Sequence, residues 1–383
     1  MQGHKTKTLL ICCGVIFTDM LGYGIITPSI PIFAKLLNAS ETEIGLAFSA
    51  YPVAFILVVL PFGKLVDRIG RNHIVISLGM FLLFASSMIL SVAHSFFVLS
   101  MARAFQGMAS AISWVAAQPL AAQCTSEDGK GGMQLSLIST SYGLGMIMGP
   151  ILGSLDPFEL PFLICGLIAL TFSLISFFAV KTSYKASEKV EGTVKSLLKK
   201  RGIMLGCLVI LYAYLCIGMV ELLFPLYMDS LSFSKSDIGI LFGVLAIILT
   251  ISQPFIGKWI GKSGLSRPMY FALAINAIAM LIIVKVSGFI FWLPVVAAFG
   301  FSLGALVTTS MSLIAASSRK GEQGLAYGLW NLSFSIGYLI GPAASGAIAD
   351  YSGMFTSFLI GALITIPIMI LAVKYNQISE LNP

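Results

Sequence analysis

The 383-residue sequence predicts an all-α membrane protein in which twelve transmembrane helices form two pseudo-symmetric bundles of six. Three observations lead to this prediction. The composition is 57% hydrophobic and only 10% charged, and twelve apolar runs are long enough to cross a bilayer. The pattern G-x-x-x-G-P also occurs twice, and its second glycines, Gly149 and Gly341, are 192 residues apart (341 − 149). Because that spacing is half of the chain, the second half is expected to repeat the fold of the first.

The composition excludes a water-soluble globule, because soluble domains carry about 25% charged residues. The six cysteines are scattered without the spacing of zinc or haem ligands, and the chain has only three histidines. Neither a Ser/His/Asp set nor a nucleotide-binding loop is recognisable. We therefore expect no metal site, no cofactor and no enzymatic activity.

The apolar runs define the expected spans, since a helix needs about 20 apolar residues to cross a bilayer. The only polar stretch of linker character is 181–201, which predicts a bundle at 1–180, a cytoplasmic linker at 181–201 and a second bundle at 202–383. The runs are 8–34, 42–62, 73–93, 96–122, 132–154, 158–180, 202–228, 236–256, 268–286, 289–316, 322–348 and 353–373.

The positions of the basic residues predict the orientation. Twelve spans place both termini on one side of the membrane, and 19 of the 23 Lys and Arg residues fall in loops on that side. The other side has only Lys35, Lys235 and Lys285. Cytoplasmic loops carry an excess of Lys and Arg, so both termini are expected to be cytoplasmic in a multi-pass protein of the cell membrane. Topology then accounts for the +7 charge, and we expect the lipid bilayer, not nucleic acid, as a partner.

Three motifs carry a family resemblance. They are Gly63-Lys-Leu-Val-Asp-Arg-Ile-Gly-Arg71 after the second span, Arg103-Ala-Phe-Gln-Gly107 in the fourth and Gly145-Met-Ile-Met-Gly-Pro150 in the fifth. They resemble the loop, R-x-x-Q-G and G-x-x-x-G-P signatures of the major facilitator superfamily, the last of which is typical of drug/proton antiporters. The residues expected to control conformational change are Gly63, Asp67, Arg68, Gly70, Arg71, Gly145, Gly149, Pro150, Gly341 and Pro342.

Single positions resemble the vesicular monoamine transporter branch of that superfamily: Asp19 in span one, Glu221 in span seven and Tyr338 in span eleven. The resemblance implies a monomeric antiporter that exports amphipathic organic cations, monoamines among the candidates, by alternating access driven by protons. The branch has a lysine where Tyr51 stands here and an aspartate where Asn331 stands. Its proton stoichiometry and strict amine specificity therefore do not carry over.

Three charged residues lie well inside the apolar spans, namely Asp19, Arg103 and Glu221. A charge at the bilayer centre costs roughly 2.5–3.5 kcal/mol on insertion scales, so such residues usually serve function. We expect Asp19 and Glu221 to exchange proton for cation and Arg103 to couple that exchange to conformation. The structural alternatives are a helix–helix hydrogen bond for Asp19, a static ion pair for Arg103, and satisfaction of the backbone freed by Pro225 for Glu221.

Aromatic rings attract organic cations, although packing or a place in the interface belt is the alternative for each ring. The predicted substrate-binding residues are Asp19, Tyr23, Tyr51, Trp114, Gln118, Tyr142, Glu221, Asn331, Phe334 and Tyr338. A second possibility within the transporters is efflux of neutral or sugar-like small solutes, which the polar Gln118, Ser139 and Asn331 would serve.

Overall fold

A computed structural model describes residues 2–69, 72–125, 131–180, 193–319 and 322–381. All regular structure in these ranges is helical, and nine helical segments there are long and apolar enough to cross a membrane. The predicted all-α membrane fold is confirmed. The helices are α1 Gln2–Ile25, α2 Ile30–Leu37, α3 Glu41–Ile69, α4 Asn72–Ser91, α5 Phe96–Thr125, α6 Gly131–Gly153, α7 Leu160–Ala179, α8 Val194–Leu198, α9 Arg201–Ser230, α10 Lys235–Ser263, α11 Ser266–Ile282, α12 Phe289–Ser317, α13 Gln323–Ser352, α14 Met354–Leu363 and α15 Thr365–Leu381.

The first span is broken where its sequence has two prolines. The helix α1 ends at Ile25, a 3-10 turn covers Thr27–Ser29, and α2 begins at Ile30. Proline has no N–H group and cannot continue the hydrogen-bond ladder, so Pro28 and Pro31 account for the break. Asp19 consequently lies in the last two turns of a regular helix, and the helical backbone sets the direction in which its side chain leaves the helix.

The chain divides into two compact units. The first comprises Met1–Ala39, Leu46–Ser187 and Phe233–Gly243, and the second comprises Ser40–Gly45, Glu188–Ser232 and Val244–Pro383. In the first unit α1 packs on α6, and α4 packs on α5 and α7. In the second unit α9 packs on α13 and α12, and α11 packs on α12.

The two G-x-x-x-G-P segments pack in the same way within their own units. A Cβ atom added to Gly149 would lie 2.7 Å from the Cα of Gly24 in α1. A Cβ atom added to Gly341 would lie 2.5 Å from the carbonyl oxygen of Leu215 and 3.3 Å from the Cα of Gly218, both in α9. Since Gly24 and Gly218 are 194 residues apart (218 − 24), the repeat read from the motifs is also a repeat in helix packing.

A further pair of contacts, one in each unit, lies near helix ends and is related by the repeat. In the first unit the ammonium of Lys235 lies 3.9 Å from the carboxylate of Asp156. In the second unit the backbone N–H of Glu41 donates to the carboxylate of Asp350 at 3.1 Å. Lys235 follows Glu41 by 194 residues (235 − 41), and Asp350 follows Asp156 by 194 (350 − 156). The repeat therefore extends to these two contacts, although the equivalent residues differ in type.

Candidate functional site

Asp19 is buried in the first unit, with 1% of its surface exposed. Both carboxylate oxygens accept hydrogen bonds from α5: the Ser110 hydroxyl donates to Oδ1 at 2.6 Å, and the Trp114 indole N–H donates to Oδ2 at 2.6 Å. Ser110 and Trp114 are four residues apart and therefore share one face of the helix. Among the residues that the structure describes, no basic group pairs with Asp19, so neutral donors alone satisfy this carboxylate.

Arg103 is also buried in the first unit. A buried arginine usually pairs with an acid, but Arg103 contacts aromatic rings instead. Its Nη1 donates to Oε1 of Gln106 at 2.6 Å, and its guanidinium carbon lies 4.8 Å from the ring centroid of Phe48 and 4.9 Å from that of Tyr51. Desolvated cation–π contacts are worth about 2 kcal/mol or more. In the described part of the chain no acid pairs with Arg103, and its Nε atom has no hydrogen-bond partner.

Four aromatic side chains form two contacting pairs in the same unit as Asp19, and one pair includes its hydrogen-bond donor Trp114. The rings of Tyr23 and Tyr51 meet edge to face with centroids 5.7 Å apart, and those of Trp114 and Tyr142 do so at 5.9 Å. Tyr51 is buried, whereas the other three are half-buried. The first unit therefore brings together Asp19 and all four aromatic residues that the sequence assigned to this half. Gln118 lies in α5, but its side chain is outside the described residues, as is that of Ser139 in α6.

The second unit contains a carboxylate with an aromatic partner. Glu221 is 6% exposed, and the Tyr338 hydroxyl donates to its Oε2 at 2.6 Å. Near Tyr338 on α13, the Phe334 ring meets the Tyr214 ring edge to face at 4.1 Å and stacks on Trp330 at 6.4 Å. This arrangement brings together Glu221 and Tyr338 of the predicted set, and Phe334 lies one turn before Tyr338 on α13.

Asn331 is exposed, and its side-chain amide makes no hydrogen bond within the described ranges of the chain. Its backbone carbonyl accepts from the Ser335 hydroxyl within α13. Asn331 therefore lies on the same helix as Phe334 and Tyr338 without joining the hydrogen bond to Glu221.

Three contact residues were not predicted from the sequence: Ser110, Phe48 and Tyr214. Ser110 is one of the small residues that follow Arg103 in α5, and its residue type alone suggests only close helix packing. The one available signal was its spacing, since it precedes Trp114 by one helical turn. Nothing in a single sequence shows that this face of α5 meets Asp19 of α1.

The residues expected to control conformational change are only partly described. Gly63, Asp67 and Arg68 lie in the last turns of α3 with side chains outside the described residues, and Gly70 and Arg71 are outside them altogether. The remaining five lie where α6 packs on α1 and where α13 packs on α9, and close helix packing is sufficient to explain the three glycines among them. Their role in conformational change remains a prediction. These five are Gly145, Gly149, Pro150, Gly341 and Pro342.

Known proteins resemble this chain along most of its length. The chain is 26% identical to Multidrug resistance protein 2 of Bacillus subtilis, over 99% of this chain and 99% of that protein. It is 26% identical to the synaptic vesicular amine transporter of Mus musculus, over 86% of this chain and 65% of that protein. A crystal structure of the nucleoside transporter NupG shares the fold, with a TM-score of 0.80 at 13% identity, covering 96% of this chain and 99% of that one.

The sequence profile of the Major Facilitator Superfamily matches residues 12–284 and 206–380, which together span most of the chain. The two overlapping matches fit a fold whose halves repeat. The chain belongs to the Major Facilitator Superfamily and is a membrane transporter, not an enzyme.

Proposed function

We propose that this protein is a proton-coupled antiporter that exports amphipathic organic cations from the cell by alternating access. The observation that carries the proposal is Asp19, a buried carboxylate among aromatic rings that pairs with no basic group in the described part of the chain. A carboxylate supplies the charge and aromatic faces supply the cation–π surface that an organic cation requires. Intramembrane carboxylates are themselves characteristic of substrate and proton pathways.

In this proposal a proton and a cation compete for Asp19, because one carboxylate cannot hold both. Proton entry on one side of the membrane releases the cation, and cation binding on the other side releases the proton. The pH gradient supplies about 1.36 kcal/mol per pH unit for each proton. A net movement of charge adds about 2.3 kcal/mol per 100 mV.

Glu221 is the second carboxylate in this scheme, as a proton carrier or as a second cation site. Its partner Tyr338 lies on the aromatic face of α13 that also carries Trp330 and Phe334. Arg103 is proposed to couple the two states, since it is a buried cation held by rings and an amide. It contacts Phe48 and Tyr51 and pairs with no carboxylate among the described residues, which suits a charge that changes partners during the cycle.

The names of the relatives support this substrate class. One is a multidrug resistance protein and another an amine transporter, each at 26% identity.

We further propose that the transporter acts as a monomer in the cell membrane with both termini in the cytoplasm. Export of neutral or sugar-like solutes is the second candidate, favoured by the exposed amide of Asn331 and by the neutral substrates named for the nucleoside transporter of similar fold.

Reconstitution into liposomes tests the proposal. Purified protein in vesicles with an acidic lumen is presented with tetraphenylphosphonium, a sugar and a nucleoside in separate assays. We expect the pH gradient to drive accumulation of the cation and not of the neutral solutes. Accumulation or exchange of the neutral solutes without the cation would establish the second candidate instead.

Tyr338→Phe is expected to slow cation-driven proton exchange about tenfold at limiting cation, because hydrogen bonds to charged groups contribute about 1.5–3 kcal/mol. The change removes only the hydroxyl that donates to Glu221 and leaves the ring in place. The measurement is the initial rate of exchange in liposomes. Tyr351→Phe is the matched control, since Tyr351 ends the same helix and is 93% exposed. Equal rates in both variants would show that the contact with Glu221 is not part of transport.

A further inference from the structure

We infer that Ser110 is a positioning residue for proton exchange, and that the exchangeable proton of Asp19 resides on Oδ1, the oxygen that faces Ser110. The inference rests on the proposed function, because it concerns how the same carboxyl group is hydrogen-bonded in its two protonation states. It follows from the different chemistry of the two groups that contact Asp19.

The two oxygens of Asp19 face unlike partners. An indole nitrogen can only donate a hydrogen bond, whereas a hydroxyl can donate or accept. Trp114 therefore requires Oδ2 to be an acceptor whether or not the carboxyl group is protonated. A proton on Oδ2 would point at another donor, so Oδ1, opposite the Ser110 hydroxyl, is the only oxygen that can carry it without losing a contact.

Ser110 can serve both protonation states because its hydroxyl can either donate or accept a hydrogen bond. When Asp19 is ionised, the Ser110 hydroxyl donates to Oδ1. When a proton forms an O–H bond at Oδ1, that bond donates to the Ser110 oxygen, and the Ser110 hydroxyl can donate to a backbone carbonyl one turn earlier in α5. Rotation of one hydroxyl group thus accommodates the arrival or departure of one proton, with no covalent bond of Ser110 made or broken.

The other ionisable groups around Asp19 do not replace this arrangement. On the described helices around α1 these groups are Tyr51 of α3, Arg103 of α5, Tyr142 of α6 and Cys165 of α7. Among these only Arg103 is charged near neutral pH, and its guanidinium is held by Gln106 and two aromatic rings. On α4, which also packs on α1, the single ionisable side chain is His73 in the first turn. Ser110 is therefore the group whose bond to Asp19 must change with its protonation.

The test compares the pH dependence of cation-driven proton release for Ser110→Ala and Ser113→Ala. Ser113 is a buried serine on the same helix whose hydroxyl has no hydrogen-bond partner among the described residues, so its variant loses the same atom without touching Asp19. Removing a donor favours the protonated form of a carboxylate. We expect Ser110→Ala to move the midpoint of proton release about one pH unit higher, because a hydrogen bond is stronger to the ionised than to the neutral group. Ser113→Ala should keep the wild-type midpoint.

Ser110→Thr supplies the rescue, since it restores a hydroxyl at the same position. We expect it to return the midpoint toward the wild-type value while Ser110→Ala stays shifted. A wild-type midpoint in Ser110→Ala, or an equal shift in Ser113→Ala, overturns the inference. Asp19→Asn, measured in parallel, distinguishes a failure of this inference from a failure of the proposed function. Loss of release in Asp19→Asn with an unshifted Ser110→Ala refutes this inference alone, whereas normal release in Asp19→Asn refutes the proposed function.

Discussion

Asp19→Asn is expected to lower cation-driven proton exchange at least about 100-fold while the protein still folds. An amide cannot bind and release a proton near neutral pH and carries no charge for the cation. Losing one partner of the buried charge pair that Asp19 forms with the bound cation in the proposed cycle costs roughly 3–5 kcal/mol, which exceeds the 2.7 kcal/mol that corresponds to about 100-fold. Asparagine has nearly the same shape and keeps polar atoms opposite Ser110 and Trp114, so packing of α1 on α5 is retained. The measurement is proton flux in liposomes at saturating cation.

The matched control is Asp156→Asn in the same unit. The Asp156 side chain is 86% exposed and lies in the connection from α6 to α7, so the same chemical change there should leave the flux within about twofold of wild type. Melting temperatures of both variants in detergent separate a lost function from a lost fold. Near-normal exchange by Asp19→Asn would show that another group carries the coupling.

Gly149→Ala and Gly341→Ala are expected to destabilise the protein by about 1–3 kcal/mol each, because an added methyl group overpacks the helix crossing. The new Cβ would lie 2.7 Å from the Cα of Gly24 in the first case and 2.5 Å from the carbonyl oxygen of Leu215 in the second. Both contacts are with backbone atoms, which cannot rotate away as a side chain could. Thermal unfolding in detergent and the yield of monodisperse protein measure the effect.

Gly257→Ala is the control for both variants, since a Cβ atom there meets no atom of the described residues within 4 Å. Alanine favours helix over glycine, so this variant should melt at the wild-type temperature or slightly above it. Melting of Gly149→Ala and Gly341→Ala together with the control would mean that neither close crossing limits stability. A large effect in only one of them would contradict the equivalent packing of the two repeats.

The fold was predictable because lipid imposes simple rules. Long apolar runs must be helices in a bilayer, and the repeated glycines and prolines revealed the duplication before any contact was known. The break after Ile25 was foreseeable from Pro28 and Pro31, since proline interrupts the backbone ladder. The contacts Lys235–Asp156 and Glu41–Asp350 were not foreseeable, because the equivalent side chains differ in type and only their positions repeat.

The candidate site was predictable in its charges but not in its partners. Asp19, Arg103 and Glu221 stand out because an uncompensated charge in a membrane is costly. Which groups satisfy them depends on the rotation of each helix about its axis, and a single apolar sequence with hydrophobic residues on every face does not reveal that rotation. The cation–π contacts of Arg103 with Phe48 and Tyr51, and the hydrogen bond from Ser110 to Asp19, therefore required the structure.

Competition between a proton and a cation for Asp19 is tested by counting the protons released when a cation binds to purified, detergent-solubilised protein. A pH-indicator dye in weakly buffered solution follows the release as tetraphenylphosphonium is added to the wild type, Asp19→Asn and Asp156→Asn. Competition for one carboxylate predicts release from the wild type and from Asp156→Asn, and none from Asp19→Asn. Cation binding to the wild type without release, or equal release from Asp19→Asn, would contradict the account.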